Sequence, residues 1–196
     1  MLAKACSDAV NGIEAYPVEV EVNAGYGDTV IVIVGLPDAT VKESRDRVTT
    51  ALISSGFNFT LGRTTIDLAP ADAKKDGPSF DLPIAIGMVA ASEQIETDPL
   101  DKFMMVGELA LDGTVRPVKG VLPIALRARA EGKAGALVPP ENAAEAAVVS
   151  GLRVIPIQSL REATGFLERE ATGARLLNGD TSLTGEILLA RECELM

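Results

Sequence analysis

The chain has 196 residues, of which 47% are hydrophobic and only 4% aromatic, and its formal net charge is −10. This composition predicts one substantial α/β or α+β domain with an aliphatic core, alone or with an appendage, and it does not fit a disordered chain. The acidic charge argues against direct binding of nucleic acid, because phosphates select basic surfaces. The sequence contains no histidine, which excludes a Ser-His-Asp triad, a Cys-His dyad and any His-ligated metal site.

Targeting signals and metal-ligand patterns are not found in the sequence. The N-terminus lacks the basic and then apolar pattern of a signal peptide, and the longest apolar run, 83–91, is too short to cross a bilayer. Cys6 and Cys193 lie at opposite ends without metal spacing, which is typical of reduced thiols. We therefore expect a soluble cytoplasmic protein that contacts no membrane and whose own residues bind no metal or cofactor.

The first half of the chain alternates strand and helix patterns. Val alternates with Glu over 16–23, and the almost wholly apolar stretch 29–34 follows a glycine-containing turn. These two strands are predicted to pair as a hairpin, with 29–34 covered on both faces. A helix is predicted over 39–55 after a cap at Asp38, and a further strand over 63–68.

The second half continues this alternation. The predicted elements are, in chain order, a helix starting at Ser79, a strand over 103–111 with a hairpin turn at Asp112-Gly113, a helix over 121–131, a strand over 136–138, a helix over 141–149, a strand over 152–157 and a helix that Ser159 caps and that ends near Glu168. Beyond that point the pattern weakens. We predict one domain over 1–168 and a linker or loosely attached tail over 169–196.

The stretch 70–92 carries most of the functional information, because a polar loop runs there into an apolar helix at Ser79. One hypothesis makes Ser79 a nucleophile in the positive field of the helix end. The other makes it a helix cap whose oxygen accepts a backbone N–H. Without histidine, a nucleophilic serine needs a neutral lysine as its base, and only burial makes a lysine neutral.

Four lysines are candidates for that base. Lys74 and Lys75 lie in a polar loop beside acidic residues, which favours their charged form. Lys119 and Lys133 remain as more distant candidates. No nucleotide site is predicted, because the chain has no Gly-x-x-x-x-Gly-Lys-Ser/Thr motif and no Gly-x-Gly-x-x-Gly motif after a strand.

Two stretches resemble the proteolytic domain of Lon proteases. Lys-Asp-Gly-Pro-Ser at 75–79 resembles its active-serine motif, and 106–118 resembles a second stretch of that domain. In Lon-like proteases the serine works with a lysine that follows this second stretch. The matching position here is Leu122, which accepts no proton. Lys119 lies about one helical turn earlier and is the remaining candidate base for Ser79.

A longer resemblance covers about residues 1–168. Residues 35–48, 68–92, 106–129 and 138–149 are similar to the N-terminal domain of the magnesium-chelatase-like AAA+ family, of the ComM/YifB type. This resemblance implies a Lon-protease-domain-like fold, in which helices cover a mixed α/β sheet. It also implies one left-handed βαβ crossover, against the usual hand.

The same resemblance implies a function. In that family the domain precedes an ATPase module, and full-length relatives act as hexameric DNA branch-migration helicases in natural transformation. We therefore expect a pseudo-protease that serves as a non-catalytic assembly or regulatory domain. Its expected partners are an AAA+ module, in cis or in trans, and further copies of the chain, while ATP and Mg belong to the ATPase module. The alternative is a Lon-type Ser-Lys peptidase that uses Ser79 and Lys119.

Overall fold

The computed structural model describes residues 1–58, 62–72, 75–172 and 183–184. The strands are β1 (Leu2–Asn11), β2 (Glu14–Ala24), β3 (Val30–Val34), β4 (Arg63–Ala69), β5 (Phe103–Met105), β6 (Glu108–Leu109), β7 (Val115–Arg116), β8 (Gly135–Val138), β9 (Arg153–Pro156) and β10 (Leu183–Thr184). The α-helices are α1 (Ala39–Ser54), α2 (Asp81–Ala91), α3 (Val121–Ala130), α4 (Ala143–Ala147) and α5 (Leu160–Ala171). A 3₁₀ turn, Pro78–Phe80, leads into α2.

Within these residues, eight strands form one mixed sheet in the order β10-β9-β8-β5-β1-β2-β4-β3. The pairs β1/β2, β2/β4 and β9/β10 are antiparallel, and the other neighbours are parallel. β6 and β7 form a separate antiparallel ribbon. The predicted α/β fold with a mixed sheet and helices is confirmed. The left hand of one βαβ crossover stays a prediction.

Two apolar clusters hold the helices against the sheet. The first joins α1, α2 and α5 to β1, β2 and β4, and the second joins α3 and α4 to β5, β8 and β9. Every residue of α2 is buried, which explains why its sequence is apolar on all sides. The loop that precedes α2 is therefore attached to the most deeply buried helix among the described elements.

The predicted pairing of β2 with β3 is wrong, because β4 lies between them. β2 pairs instead with β1, a strand that the analysis of the sequence missed, through a tight turn at Gly12-Ile13. The inward positions of β1 are small, mainly alanine, and alanine has a low strand propensity. The overlooked signal is Gly12, which has a φ of 65°, because glycine at the first of two turn residues is typical of tight hairpins.

The prediction that 29–34 is covered on both faces is also wrong. β3 lies at the edge of the sheet, and the side chains of Val30 and Val34 are 40% and 42% exposed. An apolar run shows that a strand can be buried, but strand order decides whether other elements cover it.

The predicted strand 103–111 is divided into β5 and β6 at Gly107. The N–H of Gly107 donates to the Ser79 carbonyl at 3.0 Å, and the Gly107 carbonyl accepts from Leu82 N at 3.0 Å. A Cβ at position 107 would lie 2.6 Å from Val115 Cγ1, so the close approach requires glycine. The chain therefore leaves the sheet here to hold the serine turn. The hairpin at Asp112-Gly113 is confirmed.

Both predicted helix caps are confirmed. Asp38 Oδ1 accepts from Val41 N at 2.7 Å, and Ser159 Oγ accepts from Glu162 N at 3.2 Å. α5 continues to Ala171, a little beyond its predicted end. Most of the predicted tail, 169–196, lies outside the described residues. Across the part of the chain that is described, none of the helices combines the length and the apolar character that a membrane span needs.

Candidate functional site

A cleft of about 540 Å³ opens beside Ser79. Its walls come from the turn between β1 and β2, the loop 76–79, Glu108 in β6, and the segment 117–120 that precedes α3. The cleft therefore brings together Ser79 and Lys119, the two residues of the peptidase hypothesis. The fold does this by placing the serine turn and the start of α3 on either side of the same opening.

Ser79 lies half-buried inside the 3₁₀ turn that leads into α2. Neither this turn nor α2 has a side-chain cap, and the capping position of α2 is occupied by Phe80, which has no side-chain oxygen. The hypothesis that Ser79 is a helix cap is therefore wrong. The physical reason is that the chain enters α2 through a further helical turn, so the serine sits one residue before the capping position.

Lys119 is exposed at the edge of the cleft, immediately before α3. Burial is what makes a lysine neutral enough to take a proton from a serine, and Lys119 has no such burial. Leu122, which matches the Lon lysine, lies in the first turn of α3, where its backbone N–H donates to Glu145 Oε1 at 2.9 Å. Leu122 is not among the residues that line the cleft.

Lys75 was expected to be charged in a polar loop, but the structure buries it. Its side chain is fully buried and its ammonium donates to the Pro70 carbonyl. Burial lowers the pKa of Lys75, while Asp72 and Asp67 act against that shift. Lys75 does not line the cleft. Its backbone carbonyl accepts a hydrogen bond from Asp38 N at 3.2 Å, so we assign the residue a structural role.

The other two candidate bases are Lys74 and Lys133. Lys74 lies outside the described residues. Lys133 does not line the cleft; its Nζ donates to the Asp101 carbonyl at 2.9 Å and lies 3.1 Å from Cys6 Sγ. Of the lysines weighed from the sequence, the structure brings Lys119 alone to the cleft, within the part of the chain that it describes.

A buried ion pair lies directly after the serine turn, at the start of α2. The Asp81 carboxylate, at the start of α2, accepts from Arg47 Nε at 2.9 Å and Nη2 at 3.2 Å, and from Leu109 N at 3.2 Å. Burial raises the pKa of Asp81, and the hydrogen bonds from Arg47 oppose that shift. Arg47 belongs to the charged residues of α1, and its side chain turns inward to this carboxylate. The pair therefore joins α1, α2 and β6, the last of which carries Glu108 of the cleft.

The cleft presents one hydroxyl, one ammonium and two carboxylates. The carboxylates belong to Asp76 and Glu108, and Glu108 also pairs with Arg116 Nη1 at 3.3 Å. Over the described ranges, no group of three or more His, Cys, Asp or Glu side chains could hold a metal ion. Such a surface can bind a polar or extended ligand, but its described residues supply Ser79 with no buried base.

The chain is similar in sequence to Lon proteases over part of its length. The chain is 31% identical over 94 residues to Lon protease 2 of Bacillus subtilis, a match that covers 47% of this chain and 17% of that protein. This similarity supports a Lon-like fold at a distance. It does not bring a base to the cleft, because the position of the Lon lysine is Leu122 in this sequence.

Longer matches are found among proteins of another kind. The chain is 42% identical over 160 residues to the uncharacterized protein YifB of Salmonella typhimurium, covering 82% of this chain and 31% of that protein. It is 43% identical over 166 residues to the competence protein ComM of Haemophilus influenzae, covering 85% of this chain and 32% of that protein. The chain thus spans about a third of the length of these relatives. The family model described as subunit ChlI of Mg-chelatase matches residues 18–142, and the protein therefore belongs to this ChlI family.

Proposed function

We propose that this chain is the non-catalytic assembly or regulatory domain of a ComM/YifB-type AAA+ ATPase. The observation that carries the proposal is the cleft itself, which contains Ser79 but has Leu122 outside it and only an exposed lysine at its edge. A protease-like site without a base is suited to binding and packing rather than to hydrolysis.

The partners follow from this role. We propose that the domain packs against an AAA+ module, in cis or in trans, and against copies of itself in a homo-oligomer of the cytoplasm. ATP and Mg then belong to the ATPase module. Because the chain carries a net charge of −10, DNA is contacted by other parts of the assembly. The activity proposed for the whole assembly is DNA branch migration during natural transformation, by a hexamer.

The proposal is tested with the ATPase that carries this domain. Ser79→Ala and Lys119→Ala, singly and together, are expected to retain wild-type ATPase activity and wild-type transformation frequency in cells. Deletion of residues 1–172 is expected to abolish assembly in sedimentation measurements. A tenfold or greater loss of transformation with Ser79→Ala, in a protein that still folds, would contradict a non-catalytic role for the cleft.

A second function has one observation in its favour. Ser79 and Lys119 line the same cleft, as a Ser-Lys peptidase requires. If that function is correct, a serine-reactive phosphonate labels Ser79 in the wild-type chain, and Lys119→Ala abolishes the labelling. Lys119→Arg is the matched control, since it keeps the positive charge but cannot act as a base near neutral pH. Absence of labelling at high pH, where lysine is neutral, would exclude the peptidase.

A further inference from the structure

Cys6 in β1 and Lys133, in the loop after α3, are in direct contact. Lys133 Nζ lies 3.1 Å from Cys6 Sγ and donates to the Asp101 carbonyl at 2.9 Å. Cys6 Sγ lies 3.6 Å from the same carbonyl oxygen. One backbone oxygen therefore holds the thiol and the amine against each other.

The fold fixes this contact from both sides, although the two residues are 127 positions apart in the sequence. β1 pairs with β5 at Cys6 and Met104, and β5 pairs with β8, the strand that follows Lys133. The Ala134 N–H also donates to the Lys102 carbonyl at 2.8 Å. Sheet pairing thus brings the backbones of the two residues close together, and the hydrogen bond to the Asp101 carbonyl holds the amine beside the sulfur.

The surroundings of the pair admit a small reagent and a proton acceptor. Cys6 is half-buried, and 16% of the Lys133 side chain is exposed. Glu131 Oε2 lies 4.0 Å from Lys133 Nζ. Asp8, two residues along β1, is fully buried, and neither of its carboxylate oxygens has a hydrogen-bond partner in the described structure. The charge of Lys133 acts on this carboxyl. The acceptor for the proton that the amine must lose is the Glu131 carboxylate beside it.

We propose that peroxide converts this pair into a covalent cross-link in which one oxygen atom joins Cys6 Sγ to Lys133 Nζ. One molecule of hydrogen peroxide oxidises the thiol to a sulfenic acid and leaves as water. A second oxidises the neutral amine to a hydroxylamine and also leaves as water. The sulfenic acid and the hydroxylamine then condense with loss of a third water, which forms the S–O–N link. Sulfur and nitrogen each lose two electrons, and the two peroxides accept all four.

The geometry favours an oxygen bridge over a direct bond between sulfur and nitrogen. The gap of 3.1 Å between Sγ and Nζ is much longer than a single covalent bond. An oxygen atom inserted between the two would fill most of that gap. The link would join β1 to the segment before β8, which are separated by 127 positions in the sequence. A covalent link between such distant residues restricts the unfolded chain and so stabilises the folded state.

The test is to treat the 196-residue chain with hydrogen peroxide, digest it with trypsin and analyse the peptides by mass spectrometry. We expect peptide 5–42 joined to peptide 130–153, because a modified Lys133 is no longer cleaved. The joined pair should be about 14 Da heavier than the two free peptides together, one oxygen gained and two hydrogens lost. It should disappear after treatment with dithiothreitol. The intact oxidised chain should unfold at a higher temperature than the reduced chain.

Matched variants separate this link from general oxidation. Cys6→Ser and Lys133→Arg should each abolish the joined peptides and the rise in unfolding temperature. Lys102→Arg, at an exposed lysine nearby, and Cys193→Ser should leave both unchanged. Oxidation of Cys6 to sulfenic or higher acids without joined peptides would overturn the proposal. A joined pair about 2 Da lighter than the free peptides would overturn it too, since that mass indicates a direct S–N bond.

Discussion

Asp8, Lys75 and Asp81 are fully buried ionisable side chains, and the structure compensates them unequally. Asp81 accepts two hydrogen bonds from a guanidinium, and Lys75 donates to a backbone carbonyl. Asp8 has no hydrogen bond within the described residues, and Arg127 Nε lies 3.8 Å from its Oδ1. A buried charge without hydrogen bonds is costly. Asp8 is therefore the side chain whose ionisation should affect stability most.

Asp8→Asn should change how the free energy of unfolding depends on pH. Burial raises the pKa of Asp8 from 3.8 to about 8; Glu131 adds to this shift, and Arg127 and Lys133 oppose it. The folded chain holds the Asp8 proton between pH 4 and 8 while the unfolded chain releases it, so Asp8 costs stability as the pH rises through this range. The cost is at most about 6 kcal/mol, at about 1.4 kcal/mol for each pKa unit. The amide removes this cost.

Urea unfolding of the wild-type chain and the variant at pH 4, 6 and 8 measures the difference in slope. The control is Asp98→Asn, since Asp98 is exposed and its variant should follow the wild-type profile. The slope is the informative quantity, because the new amide changes the packing equally at every pH. Parallel pH profiles for Asp8→Asn and the wild type would show that Asp8 ionises freely in the folded chain.

Ser79→Ala and Ser159→Ala should have different effects on stability. Ser159 caps α5 through its hydrogen bond from Glu162 N, and loss of such a cap costs about 1 kcal/mol. Ser79 caps neither the 3₁₀ turn nor α2, so its truncation should change the free energy of unfolding by no more than about 0.5 kcal/mol. Chemical denaturation of both variants decides the matter. Equal costs at the two positions would restore a capping role for Ser79.

The packing of α1 on α2 depends on one ion pair as well as on apolar contact. Val41, Val48 and Leu52 give α1 its buried face, and Arg47 reaches from this helix to Asp81. Since Asp81 also accepts from Leu109 N, one carboxylate joins two helices and β6. The ion pair between Arg47 and Asp81, set among apolar side chains, therefore helps to hold α1, α2 and β6 together.

Arg47→Met should destabilise the chain by about 3–5 kcal/mol, because it leaves the Asp81 carboxylate buried and unpaired. Arg45→Met is the matched control: Arg45 pairs with Asp46 on the surface, and exposed pairs contribute about 0–1 kcal/mol. Thermal or urea unfolding of both variants provides the measurement. If Arg47→Met costs no more than Arg45→Met, the pair does not hold α1 on α2. The double variant Arg47→Met, Asp81→Leu should recover part of the lost stability.

The sheet of the whole molecule is built around its N-terminal strand. β1 lies between β2 and β5 and joins the part formed by β2, β3 and β4 to the part formed by β5, β8 and β9. Its two faces also contribute to both apolar clusters, through residues such as Ala5 on one side and Val10 on the other. The first residues of the chain therefore connect the two halves of the fold.

A chain that starts at residue 14 should fail to unfold cooperatively, because it lacks the strand that pairs with both β2 and β5. A chain that ends at residue 172 serves as the comparison and, if 169–196 is a loosely attached tail, should keep a cooperative transition. Circular dichroism melting curves of the two shortened chains provide the test. A cooperative transition in the chain that starts at residue 14 would show that the halves of the sheet associate without β1.

Local patterns in the sequence were sufficient for the elements whose signals lie within a few residues. The caps at Asp38 and Ser159 and the turn at Asp112-Gly113 were predicted correctly, because each depends on hydrogen bonds between near neighbours in the chain. The serine loop and the unsuitable Leu122 were identified from motifs. These features required no knowledge of strand order.

Contacts between distant parts of the chain were not predictable in this way. β4 separates β2 from β3 in the sheet, Lys75 is buried by the Pro70 loop, and Arg47 is paired with a carboxylate 34 residues away. A side chain's charge and hydropathy are the same whether it ends inside or outside, and its burial is set by elements that arrive from elsewhere in the sequence. The sequence alone therefore established the family resemblance, the fold class and the mismatch at the Lon lysine. The tertiary structure decided that Ser79 lines a cleft and caps no helix, because strand order and helix packing determine which residues meet.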